Sequence, residues 1–271
     1  MSIFNCLSRK IILIGFCSDP LASTVIRGCL LLNNTGMTAM VIFGKFCFSI
    51  LHINFIRSPM PHFRWPYGTS KESNTVVLIG DAFQPLSYWK GFMPPPDWQN
   101  VMLDTHIYAM FSPQVSFLCL KLSFRLKEQI HFKGNEMSYS QHIQAACNHA
   151  NDLSNAPLWV VVGEWTPAPN DCAKYLNGRG VGSRYEGTLP GSTRVGSCAG
   201  WTGNASTFSQ SYKDFLRKHW EAQVITFEKG QGWIQWTWKA EQADEWSYQA
   251  GLANGWIPQY PTNFMYPGIC G

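Results

Sequence analysis

The chain has 271 residues and a formal net charge of +4, and it is 45% hydrophobic, 14% aromatic and 14% charged. That length is sufficient for one barrel-sized domain. Residues 1–57 carry a charge of +4 and residues 113–133 carry +3, which leaves −3 on the remainder. The charge pattern therefore excludes a continuous basic surface for nucleic acid.

Residues 1–65 are predicted to be foreign to the rest of the chain. Their apolar runs at 11–14 and 41–43 are far shorter than the ~18–20 residues of a membrane span. A signal peptide also fits poorly, because the apolar run after Arg9 and Lys10 has six residues, against about 7–15 in a secretory signal. We expect no membrane association and interpret the segment as disordered or as an artefact of gene prediction. A targeting role is the alternative.

Four segments share one design, a short apolar run that ends in polar or aromatic residues. They lie at 75–83, 101–108, 158–166 and 232–239. Such runs, bounded by turn residues, are typical of strands covered on both faces in a parallel sheet. Four strands of this kind indicate an α/β fold and half of an eight-stranded (β/α)8 TIM barrel.

Two segments have the apolar spacing of helices. Their ranges are 140–149 and about 209–229. In the longer segment, Ser211 with Asp214 predicts a capping box, and Gly230 predicts the stop. His219 lies on its apolar face and is interpreted as a packing residue rather than a ligand. Both helices are predicted to lie in the outer ring of the barrel and to do no chemistry.

Side chains that can carry chemistry stand where three of the predicted strands end. They are His106, Tyr108, Glu164 and Trp236. Active sites of such barrels lie at the C-terminal ends of the strands, so we expect these side chains to line one cleft. The set suits a sugar ring, whose apolar face stacks on an aromatic side chain while its hydroxyls bond to polar groups. The alternative is that Glu164 merely caps the next element.

Five short motifs follow one another along the chain. They are DTHIY at 104–108, VGEW at 162–165, DCAKYLNG at 171–178, RYEG at 184–187, and WTWKAE with EWS at 236–247. In type and order they resemble the fungal exo-β-1,3-glucanases of glycoside hydrolase family 5. The resemblance covers roughly residues 66–112 and 135–271, the C-terminal half of such an enzyme.

The resemblance implies a role for each candidate residue. Glu164 matches the nucleophile at the end of strand seven, and His106, Tyr108 and Trp236 match the subsite of the terminal glucose. Phe111 matches an aromatic entrance. The implied activity is the hydrolysis of β-1,3-glucan from its non-reducing end, with retention and release of glucose. We expect a β-1,3-glucan or oligosaccharide as partner, no cofactor, no metal, a monomer, and an extracellular or cell-wall location.

One essential part of such an enzyme is missing from this sequence. The family carries its general acid/base in an Asn-Glu-Pro motif, whereas the only Asn-Glu pair here is Asn135-Glu136, followed by Met137. Retaining glycosidases need two carboxyl groups about 5–5.5 Å apart. The resemblance therefore predicts a chain that is inactive or nearly so. The alternatives are a non-catalytic carbohydrate-binding remnant or a chain that does not fold.

Residues 113–133 interrupt the resemblance. The segment is basic, rich in Leu and Phe, and lacks turn residues. Residues 114–116 could be encoded by CAG-GTG-AGT, which has the form of a splice donor. We interpret the segment as an unspliced intron, with a true insertion as the alternative.

The nine cysteines divide in the same way as the charges. Five lie in the two foreign segments, namely Cys6, Cys17, Cys29, Cys47 and Cys119. The four that remain are Cys147, Cys172, Cys198 and Cys270, an even set that predicts two disulfides with three possible connectivities. The family resemblance favours Cys172–Cys198 with Cys147–Cys270. A metal site is the weaker reading, because no Cys-x-x-Cys or His-Glu-x-x-His spacing occurs.

Overall fold

The computed structural model describes residues 74–111, residue 135 and residues 137–271, together with the backbone of two strands nearer the N-terminus. The chain divides into two compact units, one of Met1–Thr105 with Ala156–Val160 and one of His106–Asn155 with Val161–Gly271. The predicted insert at 113–133 lies outside the described residues. The assignment of residues 1–65 as a foreign segment stays a prediction.

Five strands form one sheet in the order β1-β2-β3-β4-β5. Their bounds are Ile12–Ile14 (β1), Met40–Ile42 (β2), Val77–Gly80 (β3), Val101–His106 (β4) and Trp159–Glu164 (β5). The first four strands pair in parallel, each with the next. The side chains of β3 and the first five of β4 are buried or nearly so, as expected for a covered parallel sheet. The strands predicted within 75–83, 101–108 and 158–166 are therefore confirmed, each somewhat shorter than its apolar pattern.

The strand predicted at 232–239 is wrong as a regular strand. Trp233 forms one isolated parallel bridge with Val162. Further along, the amide of Trp236 donates to the carbonyl of Trp165 at 2.8 Å, and that of Thr237 donates to the carbonyl of Trp246 at 3.0 Å. Because successive amides bond to different segments, no continuous ladder forms. An apolar pattern in the sequence cannot reveal this change of partner.

Four α-helices lie within the described part of the chain. Their bounds are Tyr139–Asn148 (α1), Ala150–Ser154 (α2), Gln210–Phe227 (α3) and Tyr248–Asn254 (α4). Two short 3-10 helices cover Leu86–Trp89 and Ala205–Thr207. The two predicted helices are thus confirmed as α1 and α3, and the fold is mixed α/β.

The predicted ends of the long helix need correction. The side chain of Ser209, not of Ser211, caps α3 by accepting a hydrogen bond from the Tyr212 amide at 3.2 Å. Asp214 accepts a bond from the side chain of Gln210, one turn earlier. The helix ends at Phe227, before Gly230, because its C-cap residue is already Glu228. A sequence with several Ser residues near a helix start does not say which of them is the cap.

Helix α3 packs its apolar face into the core and against α1. The ring of Phe215 stacks on that of Tyr139 with centroids 4.1 Å apart, and His219 lies 5.5 Å from the ring of His142. His219 is fully buried, and its Nδ1 lies 2.8 Å from the carbonyl oxygen of Pro167. The interpretation of His219 as a packing residue is therefore confirmed.

Two disulfides tie loops and chain end to this core. Cys147 of α1 is bonded to Cys270, and Cys172 is bonded to Cys198. This is the pairing that the resemblance favoured. Among the described residues, none of the helices has the length and apolar character needed to cross a bilayer.

Candidate active site

A backbone irregularity sets the direction of Glu164 at the end of β5. The Ile234 amide donates to the carbonyl of Val162 at 2.8 Å, and the Trp236 amide donates to the carbonyl of Trp165 at 2.8 Å. Three steps along β5 therefore oppose two steps along the neighbouring segment, which is the pattern of a β-bulge. Bulges near active sites commonly redirect a side chain. Here Trp165 takes over the bonding position that regular pairing would give to Glu164.

Two side chains from the end of β4 and the residues after it meet the carboxylate of Glu164. The hydroxyl of Tyr108 donates a hydrogen bond to Glu164 Oε2 at 3.0 Å. His106 Nδ1 lies 3.4 Å from the same oxygen. The Ile107 amide, between these two residues, donates to the Glu164 carbonyl at 2.9 Å. The backbone thus holds the two segments together while both side chains converge on one oxygen.

The environment of Tyr108 keeps its phenol protonated. Burial raises the pKa of Tyr108 far above its ordinary value, and the negative charge of Glu164 together with the hydrogen bond raises it further. The ring lies 5.2 Å from that of Phe111 and 5.9 Å from that of Trp246. Because the phenol keeps its proton, it acts toward Glu164 as a hydrogen-bond donor at any ordinary pH.

The structure therefore brings together most of the predicted site residues, but to different degrees. His106, Tyr108 and Glu164 are in direct contact, and Phe111 joins them through the ring of Tyr108. Trp236 is positioned by its backbone bond to Trp165, and its side chain is 50% exposed. No group of three His, Cys, Asp or Glu side chains placed to hold a metal occurs in the described ranges.

Sequence reasoning missed the contribution of Trp246. This residue is buried with Met110, Ala168 and Ala243 in a small cluster against which Tyr108 packs. The motif at 245–247 contained it, but nothing in the sequence indicated that it supports Tyr108 from a distance of more than a hundred residues. Its neighbour Glu245 is also buried, and burial raises the pKa of Glu245 to about 8.

The motifs at 171–178 and 184–187 have a structural role. The carboxylate of Asp171 is buried and accepts hydrogen bonds from the amides of Arg184 (2.8 Å) and Tyr185 (3.0 Å). The same carboxylate accepts from the side chains of Asn177 (2.9 Å) and Arg184 (3.2 Å). With the Cys172–Cys198 disulfide, these bonds fix a long loop that has few other regular elements.

Comparison with known proteins confirms the resemblance. The "probable glucan 1,3-beta-glucosidase A" of Aspergillus niger is 39% identical over 201 residues, which are 73% of this chain and 42% of that protein. The "glucan 1,3-beta-glucosidase" of Schwanniomyces occidentalis is 34% identical over 223 residues, 82% of this chain and 47% of that protein. The chain thus spans less than half the length of these curated relatives.

The other two comparisons add little. No protein-family model matches the chain. A solved structure of rutinosidase from Aspergillus niger is 16% identical, with a TM-score of 0.42, and the match covers 76% of this chain and 42% of that one. A likeness at that score does not establish a shared fold.

Proposed function

We propose that residues 66–112 and 135–271 form the second half, strands five to eight, of a (β/α)8-barrel glycosidase that acts on β-1,3-glucan. Residues 1–65 and 113–133 would lie outside that domain. The observation that carries the proposal is the convergence of Tyr108 and His106 on one oxygen of Glu164. The sequence similarity to glucan 1,3-beta-glucosidases supports the choice of substrate.

Glu164 is the nucleophile in this proposal. Both of its described side-chain contacts fall on Oε2, so Oε1 is the oxygen that would attack the anomeric carbon. The new bond from Oε1 to that carbon forms as the bond to the leaving oxygen breaks, which gives a glycosyl ester. Water then cleaves the ester and restores the original configuration. Tyr108, which keeps its proton, would hold the carboxylate in place throughout.

Aromatic side chains would bind the sugar beside this carboxylate. The half-exposed indole of Trp236 offers a face on which the apolar side of a glucose ring can stack. Phe111, packed on Tyr108, would form the entrance. The imidazole of His106 could donate to or accept from a sugar hydroxyl while it touches Glu164.

The chain as given should turn over natural glucan poorly. An alkoxide leaving group needs a proton, and general acid catalysis contributes typically ~10²–10⁴-fold. No Asn-Glu-Pro motif supplies that proton in this sequence. Dinitrophenolate leaves without a proton, so a dinitrophenyl glucoside could still glycosylate Glu164, although release of the sugar would be slow without a base.

The test uses the full chain with laminarin and with 2,4-dinitrophenyl β-glucoside. We expect almost no glucose from laminarin, but a burst of dinitrophenolate of about one equivalent that the Glu164→Gln variant lacks. A 2-fluoroglucoside reagent should label the peptide that contains Glu164. Rapid glucose release from laminarin would contradict the missing acid/base, and a label on another carboxylate would contradict the role of Glu164.

The second candidate function is carbohydrate binding without catalysis. It is favoured by a single observation, the half-exposed Trp236 beside a site with one carboxylate from the matched motifs. In that case laminarin should retard the chain in affinity electrophoresis, and Trp236→Ala should abolish the retardation. No burst with the dinitrophenyl glucoside would accompany it.

Export is the location that we propose. Two disulfides join the four cysteines of the glucanase-like part, and disulfides persist mainly in oxidising compartments. The protein would work outside the cell or in the cell wall, as a monomer and without a cofactor.

A further inference from the structure

We infer that the segment 232–236 is an open barrel edge that binds a parallel β-strand from the half of the barrel to which this chain has no match. The inference rests on the proposed half-barrel fold. It names the surface at which the missing half attaches.

One side of this segment lacks backbone partners. The carbonyl of Gly232 and the amides of Ile234 and Trp236 bond toward β5. In an extended strand the amides between them point the other way. Those amides, of Trp233 and Gln235, make no backbone hydrogen bond with any described residue. They form a row of donors that another strand could use.

The segment is nevertheless held in an ordered conformation. The Trp233 indole donates to Glu228 at 2.9 Å, and the Gln235 side chain accepts from the Trp220 indole of α3 at 3.0 Å. Because these side chains are fixed on the helix side, the backbone of the open edge is fixed as well. An incoming strand would meet a preformed template and would not have to order it.

The exposed side chains of this segment are apolar and alternate with a buried one. Ile234 is 51% exposed and Trp236 is 50% exposed, whereas Gln235 between them is 8% exposed. An Ile at the middle of a strand, opposite the helix layer, is normally covered by the barrel interior. Its exposure marks the face that further strands would cover.

The size of the relatives identifies the occupant. The chain spans 42% and 47% of the two relatives, so more than half of each has no counterpart in this match. A closed barrel has no open edges, and an uncovered edge invites aggregation. A second copy of this chain could occupy the edge, but it would bring another copy of the same half and not the missing one.

The experiment mixes the full chain with a separately expressed polypeptide, the portion of the Aspergillus niger relative that this chain does not match. Native mass spectrometry should show a one-to-one complex. Amide exchange followed by NMR should show new protection at Trp233 and Gln235. Ile234→Asp should weaken the complex at least tenfold, while Tyr260→Asp, at a position 69% exposed, should leave it unchanged.

Three results would overturn the inference. They are the absence of a complex, a complex that is indifferent to Ile234→Asp and leaves both amides unprotected, and protection caused by self-association of the chain alone. Activity is scored separately. A protected one-to-one complex that gives no dinitrophenolate burst would refute the proposed function and leave the docking surface standing.

Discussion

At the scale of single residues, the carboxylate of Glu164 is divided between two tasks. Tyr108 and His106 both contact Oε2, which leaves Oε1 to face a substrate. The sequence placed these three residues near one another because each follows a predicted strand. It could not indicate that two of them would share one oxygen, since that depends on the bulge at Glu164 and on side-chain rotation.

Removing the Tyr108 hydroxyl tests whether it positions the carboxylate. Tyr108→Phe should lower the rate of the dinitrophenolate burst by about tenfold to a hundredfold, the equivalent of a hydrogen bond to a charged group. The ring contacts with Phe111 and Trp246 would remain, so stability should change little. Stopped-flow absorbance measures the burst. Tyr260→Phe is the matched control, and an equal loss of rate in both variants would argue against a specific role.

At the scale of elements, the apolar pattern predicts what is buried better than it predicts how the backbone pairs. The three confirmed strands and α1 and α3 were visible in the sequence because their burial follows periods of 2 and 3.6 residues. The segment 232–239 has the same apolar alternation, yet its amides bond to Val162, Trp165 and Trp246 in turn. Pairing is decided by distant residues, so a local pattern cannot specify it.

The buried histidines between α1 and α3 predict acid sensitivity. Burial lowers the pKa of His142 to about 3, with repulsion from His219 adding to the effect, and burial lowers the pKa of His219 to about 4. The rings face Tyr139, Phe215 and each other. Neither His142 Nδ1 nor His219 Nε2 has a hydrogen-bond partner among the described residues.

The sign of the effect follows from the two states. Above pH ~6.5 both histidines are neutral folded and unfolded, so neither affects stability. As the pH falls, the unfolded chain binds protons that the folded chain excludes, and the free energy of unfolding decreases by about 2 kcal/mol per histidine between pH ~6.5 and ~5. Urea unfolding at these two pH values measures it. His142→Leu should remove about half of the difference, whereas Gln144→Leu on the exposed face of α1 should not.

The loop between Cys172 and Cys198 should depend on the charge of Asp171. Asp171→Asn removes the ion pair with Arg184 and leaves one oxygen where two accepted bonds from four donor groups. Breaking a buried ion pair in this way costs about 3–5 kcal/mol. Asp214→Asn on the exposed face of α3 is the control and should cost less than about 0.5 kcal/mol. Equal urea midpoints for the two variants would show that the hub contributes little.

At the scale of the whole molecule, the central question is which parts of the sequence belong to the working enzyme. The described residues on either side of 113–133 are Phe111 at the site and Asn135, whose side chain accepts from the Asp171 amide at 3.2 Å. Soon afterwards α1 begins with a capping box between Ser138 and Gln141. An ordered structure therefore resumes within a few residues of the segment, and neither flank needs it as a template.

Deleting residues 113–133 tests this directly. The segment is basic and rich in Phe and Leu, a composition that promotes aggregation where it is not covered. In a fusion that begins with the unmatched portion of the Aspergillus niger relative, the deletion should raise the soluble yield and leave glucose release from laminarin no lower. A version with a Gly/Ser linker of equal length separates the effect of this sequence from that of shortening. Should the deleted and linker versions fold, as judged by circular dichroism, yet lose activity, the segment is a substrate loop near Phe111 and its interpretation as an intron is wrong.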